Sequence, residues 1–326
     1  MKSLVTGGAG FIGSHLVDSL LREGDEVLVL DNFSTGRKEN LKLANDHIQI
    51  IECDISKRGD WERSFKGVSR AFHLAALADI VPSIENPESY YQANVNGTFN
   101  VMQACKEYCI EKLIYSASSS CYGIPDIFPT PETAEIRPQY PYALTKFLGE
   151  QIVLHWSKVY KVPSVSTRFF NVYGPRSRTS GTYGAVFGVF LAQKLNNKPF
   201  TVVGDGEQTR DFTFVSDIVA ALISASESKL ENEIINIGSD NTYSVNKLVE
   251  LLEGEVVYIP KRPGEPDCTW ADISKAKDLL KWEPLISLEE GVKHLLDNIE
   301  YWSNAPVWDV DSISEATKKW FKYLGK

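Results

Sequence analysis

The sequence predicts an α/β protein: a doubly wound parallel sheet of Rossmann type with a smaller C-terminal substrate-binding lobe. Three observations carry that expectation. Short β-prone runs alternate with segments of helical periodicity as far as Ile237. The first strand-like run ends directly in a glycine turn, Gly7-Gly8-Ala9-Gly10-Phe11-Ile12-Gly13. An acidic residue, Asp31, closes the second run.

The elements follow in order. Ser3-Leu4-Val5-Thr6 is short and apolar. Phe11 to Glu23 then sets Ile12, Leu16, Leu20 and Leu21 on one helical face, and Gly24 stops the helix. Glu26 to Asp31 is a second buried strand, completing a βαβ unit. Strands at Ile48 to Cys53, Arg70 to Ala75, Lys112 to Ser116, Ser164 to Phe170 and Glu233 to Ile237 continue the alternation. Long helices fall at Tyr90 to Tyr108 and Pro141 to Tyr160. Such alternation implies a parallel sheet covered on both faces, with right-handed crossovers. After about residue 170 the pattern loosens. Asn171 to Gly184 is rich in Gly, Pro, Ser and Thr, Phe187 to Asn197 reads as a helix, and Phe200 to Val203 as a short strand. Residues 1–170 with about 215–240 are therefore read as one domain. Residues 171–214 and 241–326 are read as a lobe over the C-terminal edge of the sheet, where such sheets bind ligands. The tail, Ser303 to Lys326, has a helix at Ser314 to Tyr323 with no assigned role.

Composition narrows the function classes. The 326 residues are 43% hydrophobic and 24% charged, ordinary for a globular chain whose core needs no disulfide staples. A net charge of −9 without a long basic run argues against a nucleic-acid surface, although a few local arginines can still hold a phosphate. No apolar stretch approaches the roughly 20 residues that cross a bilayer. The N-terminus lacks a signal-peptide core, so no membrane association and a cytoplasmic location are expected. The five cysteines include no Cys-x-x-Cys pair and read as free thiols. Cys105 and Cys109 share a helix but lack further ligand partners nearby, so helix packing is expected there and no metal site.

Gly7, Gly10 and Gly13 form a turn that lets the backbone approach a pyrophosphate at a helix N-terminus. Glycines also make ordinary turns, but here a strand precedes and a helix follows. Asp31 can accept hydrogen bonds from both hydroxyls of an adenosine ribose and would repel a 2′-phosphate. It favours NAD over NADP, against the nearby Arg37 and Lys38. Downstream, Tyr142 and Lys146 lie four apart and share a helix face. A lysine beside a phenol stabilises the phenolate and lowers its pKa, which suits a general base. The serine-rich turn Ser118-Ser119-Ser120 follows a buried strand and brings a hydroxyl to the same sheet edge. Each feature alone is common; their order along the chain is not.

In that order they resemble the extended short-chain dehydrogenase/reductases of the nucleotide-sugar epimerase/dehydratase type, from Leu4 to about Leu296. The matching pieces include Thr6 to Gly13, Asp31-Asn32, Asp54-Ile55, His73-Leu74-Ala75-Ala76, Asn94, Ser118 with Tyr122-Gly123, Tyr142/Lys146, Arg168 to Gly174, Gly204-Asp205-Gly206, Arg210-Asp211 and Arg262-Pro263-Gly264. The resemblance implies an NAD site that uses Phe11, Ile12, Asn32 and Asn94 besides the glycines and Asp31. Asp54 and Ile55 would flank the adenine, and Leu74, Ala75 and Ala76 would line the channel. Tyr142 would take the proton of the sugar 4-hydroxyl with Ser118 sharing it, while the C4 hydride passes to NAD. Asn171 would contact the substrate's phosphates or sugar, and Arg210 and Arg262 would clamp its pyrophosphate.

The resemblance also sorts the chemistry. Dehydratases of this type usually carry Asp-Glu after the Ser118 position, and glucuronate decarboxylases a glutamate at the Ser120 position. Here Ser119 and Ser120 stand there, and a hydroxyl does not readily replace a carboxylate as acid or base. Epimerisation at C4 remains the simplest reaction. Thr269, before Trp270-Ala271-Asp272, takes the position that borders the sugar C2 substituent, where members restricted to non-acetylated sugars carry tyrosine. UDP-N-acetylglucosamine/UDP-N-acetylgalactosamine interconversion is therefore expected, with UDP-glucose/UDP-galactose as a possible additional pair. Two alternatives stand beside it: a 4,6-dehydratase acting on a UDP-, GDP- or dTDP-sugar through Asp79 or Glu85, and an inactive cofactor-binding sensor or structural protein. The helices at Tyr90 to Tyr108 and Pro141 to Tyr160 resemble those of a homodimer interface.

Overall fold

A computed structural model describes residues 1–41, 47–177 and 185–325. Seven strands form one parallel sheet. In spatial order they are Glu233–Ile237, Ser164–Phe169, Lys112–Ser118, Arg70–His73, Lys2–Thr6, Glu26–Asp31 and Ile48–Glu52. The order reverses at Lys2–Thr6, so a crevice opens above its C-terminal end, beside the glycine turn.

The period-2 geometry of a strand explains the near-continuous apolar runs. Val5, Val27, Val29 and Phe72 face a layer formed by the helices Phe11–Arg22 and Val215–Glu227. The alternate residues Leu4, Leu28, Leu30 and Ala71 face the opposite layer, where Val101, Met102, Cys105 and Val153 come from Gly97–Glu107 and Pro141–Tyr160. Cys105 is thus a core residue, while Cys109 is exposed. The helix Val215–Glu227 was not separable in the sequence, because it directly follows the short strand Phe212–Phe214.

Beyond the sheet, three two-stranded ribbons pair Asn171–Tyr173 with Phe212–Phe214, Thr209–Arg210 with Tyr243–Ser244, and Phe200–Val203 with Val256–Ile259. A separate apolar cluster, including Phe187, Phe190, Leu248, Leu295 and Trp302, holds them together. Residues 178–184 of the Gly- and Ser-rich stretch lie outside the described residues. The tail helix runs from Val310 to Leu324, longer than the periodicity suggested. Asp309 caps it by accepting from the Ser312 amide, and Ile313, Thr317 and Trp320 form its buried stripe. Among the described residues, no helix is long and apolar enough to cross a membrane.

The expected helix at Tyr90 to Tyr108 is interrupted. It begins at Pro87–Tyr90, passes through a π turn at Tyr91–Asn96 and becomes α-helical over Gly97–Glu107. Such a turn inserts one residue per cycle and often accompanies a functional site. Here it carries Asn94.

Candidate active site

The glycine turn is shaped by close approach. Gly7 has φ +72°, and a Cβ there would lie 2.7 Å from the Ala75 amide nitrogen. A Cβ on Gly13 would lie 2.1 Å from the Gly7 carbonyl oxygen. Only glycines allow this packing of helix on strand, which brings the first helical amides to the crevice. Asp31, 8% exposed, accepts from the Ala9 amide at 2.9 Å and the Phe33 amide at 2.8 Å, one with each oxygen. Burial pushes its pKa up and these amides oppose the shift. Each oxygen keeps a lone-pair direction for a ribose hydroxyl. Lys38 is turned away to Glu52 and the Phe33 ring, while Arg37 stays in the cleft against the Tyr301 ring.

Apart from Asn94 and the alternative acid Glu85, every candidate residue of the sequence reading lines one continuous cleft of about 1160 Å³. The phosphate turn, Asp31, Asn32, Asp54, Ile55 and Leu74 to Ala76 form one end. Ser118 to Ser120, Tyr142 and Lys146 occupy its middle, and Asn171, Arg210, Arg262 and Thr269 belong to the lobe side. Asn94 does not line the cleft. It is 1% exposed, donates to the Leu77 carbonyl at 2.9 Å and to Thr145 Oγ1 at 3.0 Å, and accepts from the Leu77 amide at 2.8 Å. The π turn sends this amide inward to brace the loop after the fourth strand, and all its groups are used there.

Tyr142 is half-buried and hydrogen-bonded to Ser118. Ser118 Oγ also lies 2.8 Å from Ser120 Oγ and accepts from the Ser120 amide at 3.2 Å. The Lys146 ammonium sits 4.5 Å from the centroid of the Tyr115 ring. Burial pulls Lys146 down to about 7, with Glu150 opposing. Burial also pushes the Tyr142 phenol up, and the Ser118 hydrogen bond opposes that shift. The expected lowering of Tyr142 by Lys146 is therefore not expressed by the protein's own groups: burial governs both, opposed by Ser118 at the phenol and by Glu150 at the ammonium. The positive ring of oxidised nicotinamide is the charge that would favour the phenolate here.

Beneath these groups lies a buried ion pair. Arg168 donates to Glu150 Oε2 at 3.0 Å and Oε1 at 2.6 Å, with exposures of 2% and 1%. Arg168 also donates to the Tyr122 hydroxyl at 2.8 Å, and Tyr122 donates to Asn236 at 2.7 Å. His73 bridges Thr6 and Thr98, and burial drives it down to about 3, so it stays neutral and structural.

On the lobe side, Thr269 donates to Asn171 Oδ1 at 2.7 Å while its own oxygen accepts from the Asp211 amide at 3.1 Å. Burial lowers the Arg210 pKa, Glu265 opposes the shift and the Arg262 charge reinforces it. Arg262 donates to Glu265 at 3.0 Å and lies over the Trp320 ring. Of the two proposed dehydratase acids, Asp79 lines the cleft, whereas Glu85 does not and pairs with Lys319 at 3.5 Å. Sequence reasoning missed Tyr140, Phe187, Gln208, Glu265, Tyr301 and Trp320, all of which line the cleft. Glu265 follows the quoted Arg262-Pro263-Gly264 directly and was within reach; the others sit in segments without a chemical signature. Among the described residues, no cluster of His, Cys, Asp or Glu is placed to hold a metal.

Fold and site together define a dinucleotide-dependent enzyme of Rossmann type, with a Ser/Tyr/Lys centre facing an arginine-lined subsite. Comparison with known proteins specifies it further. Residues 3–238 match the profile of the NAD dependent epimerase/dehydratase family, and the chain belongs to that family. NAD is its cofactor, and the glycine cradle and Asp31 fit that dinucleotide. The chain is similar to a putative UDP-glucose 4-epimerase of Methanocaldococcus jannaschii, 37% identical over 90% of this chain and 97% of that one. It is similar to the crystal structure of a UDP-glucuronic acid 4-epimerase from Bacillus cereus in complex with UDP-glucuronic acid and NAD. That match has 35% identity and a TM-score of 0.86, covering 92% and 99% of the two chains. A UDP-N-acetylglucosamine 4-epimerase from Methanobrevibacter ruminantium, in complex with UDP-N-acetylmuramic acid, matches at 35% identity and a TM-score of 0.85, covering 91% and 98%.

Proposed function

We propose that the protein interconverts UDP-N-acetylglucosamine and UDP-N-acetylgalactosamine by epimerisation at C4, with UDP-glucose and UDP-galactose as a second pair. The observation that carries this reading is the all-hydroxyl floor of the reaction centre. Ser118, Ser119 and Ser120 face the cleft beside Tyr142 with no carboxylate among them. Tyr142 takes the proton of the 4-hydroxyl and later returns it, and Ser118 shares the hydrogen bond at both stages. Lys146 holds positive charge near the phenolate. Bound NAD supplies the acceptance and return of the C4 hydride. Expulsion of a 6-hydroxyl needs an acid and a base near C5 and C6, which this floor does not offer.

The small Thr269 side chain, held against Asn171, supports room for a C2 acetamido group. Arg210 and Arg262 suit the substrate diphosphate, since guanidinium forks match phosphate oxygens. Relatives with glucose, glucuronate and N-acetylglucosamine names support a UDP-sugar and leave the sugar to these residues. The test is a panel of UDP-, GDP- and dTDP-sugars with products identified by NMR. A C4 epimer with its 6-hydroxyl intact is expected. A 4-keto-6-deoxy product would transfer the assignment to dehydration, with Asp79 the acid to examine. No turnover of any sugar would instead favour an inactive sensor.

We infer in addition that a second copy of the chain covers the helices Pro87–Glu107 and Pro141–Tyr160. Tyr91, Leu144 and Val159 stand on them about half exposed, around a hollow lined by Val95, Leu148, Ile152 and Trp156. Clustered exposed apolar side chains mark association surfaces. Light scattering at micromolar concentration should give twice the chain mass; a monomer would refute the inference.

A further inference from the structure

We propose that Trp320 is a positioning residue of the substrate site, holding Arg262 in the orientation that grips the diphosphate of the nucleotide-sugar. The proposal rests on the reading of the substrate given above and assigns a role to the C-terminal helix Val310–Leu324. Trp320 is 2% exposed yet lines the same cleft as Tyr142. Its indole N–H donates to the Pro263 carbonyl at 2.7 Å, which fixes the ring against the Arg262-Pro263-Gly264 turn. The Arg262 guanidinium carbon lies 5.5 Å from the ring centroid.

The charges explain why an aromatic holder suits this place. Arg210 and Arg262 bring two positive charges into a half-buried part of the cleft, and the Arg262 charge disfavours that of Arg210. Glu265 accepts from Arg262 there, at 3.0 Å. A carboxylate orients an arginine too, but it offsets the positive charge that a diphosphate needs. A ring face attracts the guanidinium without cancelling its charge or taking an N–H donor.

The ring is braced from both sides of the cleft. On one side the helix packs against Ile80–Glu85, where Lys319 pairs with Glu85 at 3.5 Å. On the other, the Tyr140 ring lies 6.5 Å from Trp320 and 6.4 Å from Tyr142, stacked on the latter. An aromatic row therefore runs from the reacting tyrosine to the diphosphate arginine.

The test is a double-variant cycle on the full chain, with Trp320→Ala, Arg262→Ala and their combination, and Trp320→Phe as the conservative variant. Affinity for UDP alone is measured by calorimetry, and KM and kcat with UDP-N-acetylglucosamine. Trp320→Ala should weaken UDP and raise KM about tenfold, with a much smaller change in kcat, and Trp320→Phe should restore most of the loss. In the Arg262→Ala background, Trp320→Ala should add little, because the two act as one unit. Independent, multiplying losses would overturn the proposal, as would unchanged UDP affinity in Trp320→Ala. If that variant fails to fold, Trp320→Leu carries the cycle. Wild-type protein that binds no UDP would refute the nucleotide reading itself; wild type and variant that bind it equally would refute the role of Trp320 alone.

Discussion

The cofactor end of the cleft takes most of its walls from consecutive turns at one sheet edge, whereas the substrate end gathers Asn171, Arg210, Arg262, Thr269 and Trp320 from four separate segments. At the first end the backbone sets the shape, with Gly7 and Gly13 allowing its close approach and Asp31 held by backbone amides. At the second, long side chains are held in place by other side chains, as Thr269 holds Asn171 and Trp320 holds Arg262. The first design depends on backbone shape; the second leaves room for different side chains, and so different ligands, on one frame.

The comparison can be broken in several places. Tyr142→Phe, between the two ends, should lower turnover by about 10²–10⁴-fold while NAD stays bound through gel filtration. Near-normal activity would refute the assigned base. Glu150→Gln should cost about 3–5 kcal/mol in a denaturant titration, because it strands the Arg168 charge in the core beneath the serine floor. Gly13→Ala should cost about 1–3 kcal/mol and empty the cofactor end, since its Cβ meets the Gly7 carbonyl. Absorbance should then report little NAD in the purified protein.

Two smaller effects sharpen the contrast. Thr269→Tyr should lower kcat/KM for the acetylated sugar relative to UDP-glucose by about 10- to 200-fold, leaving cofactor content unchanged. An unchanged ratio would remove Thr269 from the C2 subsite. Lys146 titrates at about 7 in the fold against about 10.4 in an unfolded chain. Between those values the unfolded state binds more protons, so this group makes stability rise with pH. Lys146→Met should therefore raise the melting temperature of the cofactor-free protein most at neutral pH, with the gain shrinking toward pH 10. A gain independent of pH would contradict the assigned titration.

The two ends also differ in how far the sequence discloses them. The sheet strands and the helix Pro141–Tyr160 were legible because burial on both faces and amphipathic spacing write themselves into residue order. Glycine spacing and Asp31 likewise announce a local backbone shape. The setting of Asn94 was not legible because a matching position tells where a residue sits and not where its side chain points; only the π turn shows that its amide faces Leu77. Trp320 carried no signal at all. A tryptophan on an amphipathic helix reads as core, and its neighbours Arg262 and Tyr140 lie far away in the chain. Long-range juxtaposition of this kind has no local signature.

The central claim is that the hydride leaves C4 and returns to the opposite face of the same carbon. UDP-N-acetylglucosamine deuterated at C4, converted by the purified protein and read by NMR, tests it most directly. The account predicts UDP-N-acetylgalactosamine that keeps its deuterium at C4. Label lost to solvent, or carried to C6 of a 4-keto-6-deoxy product, would contradict it.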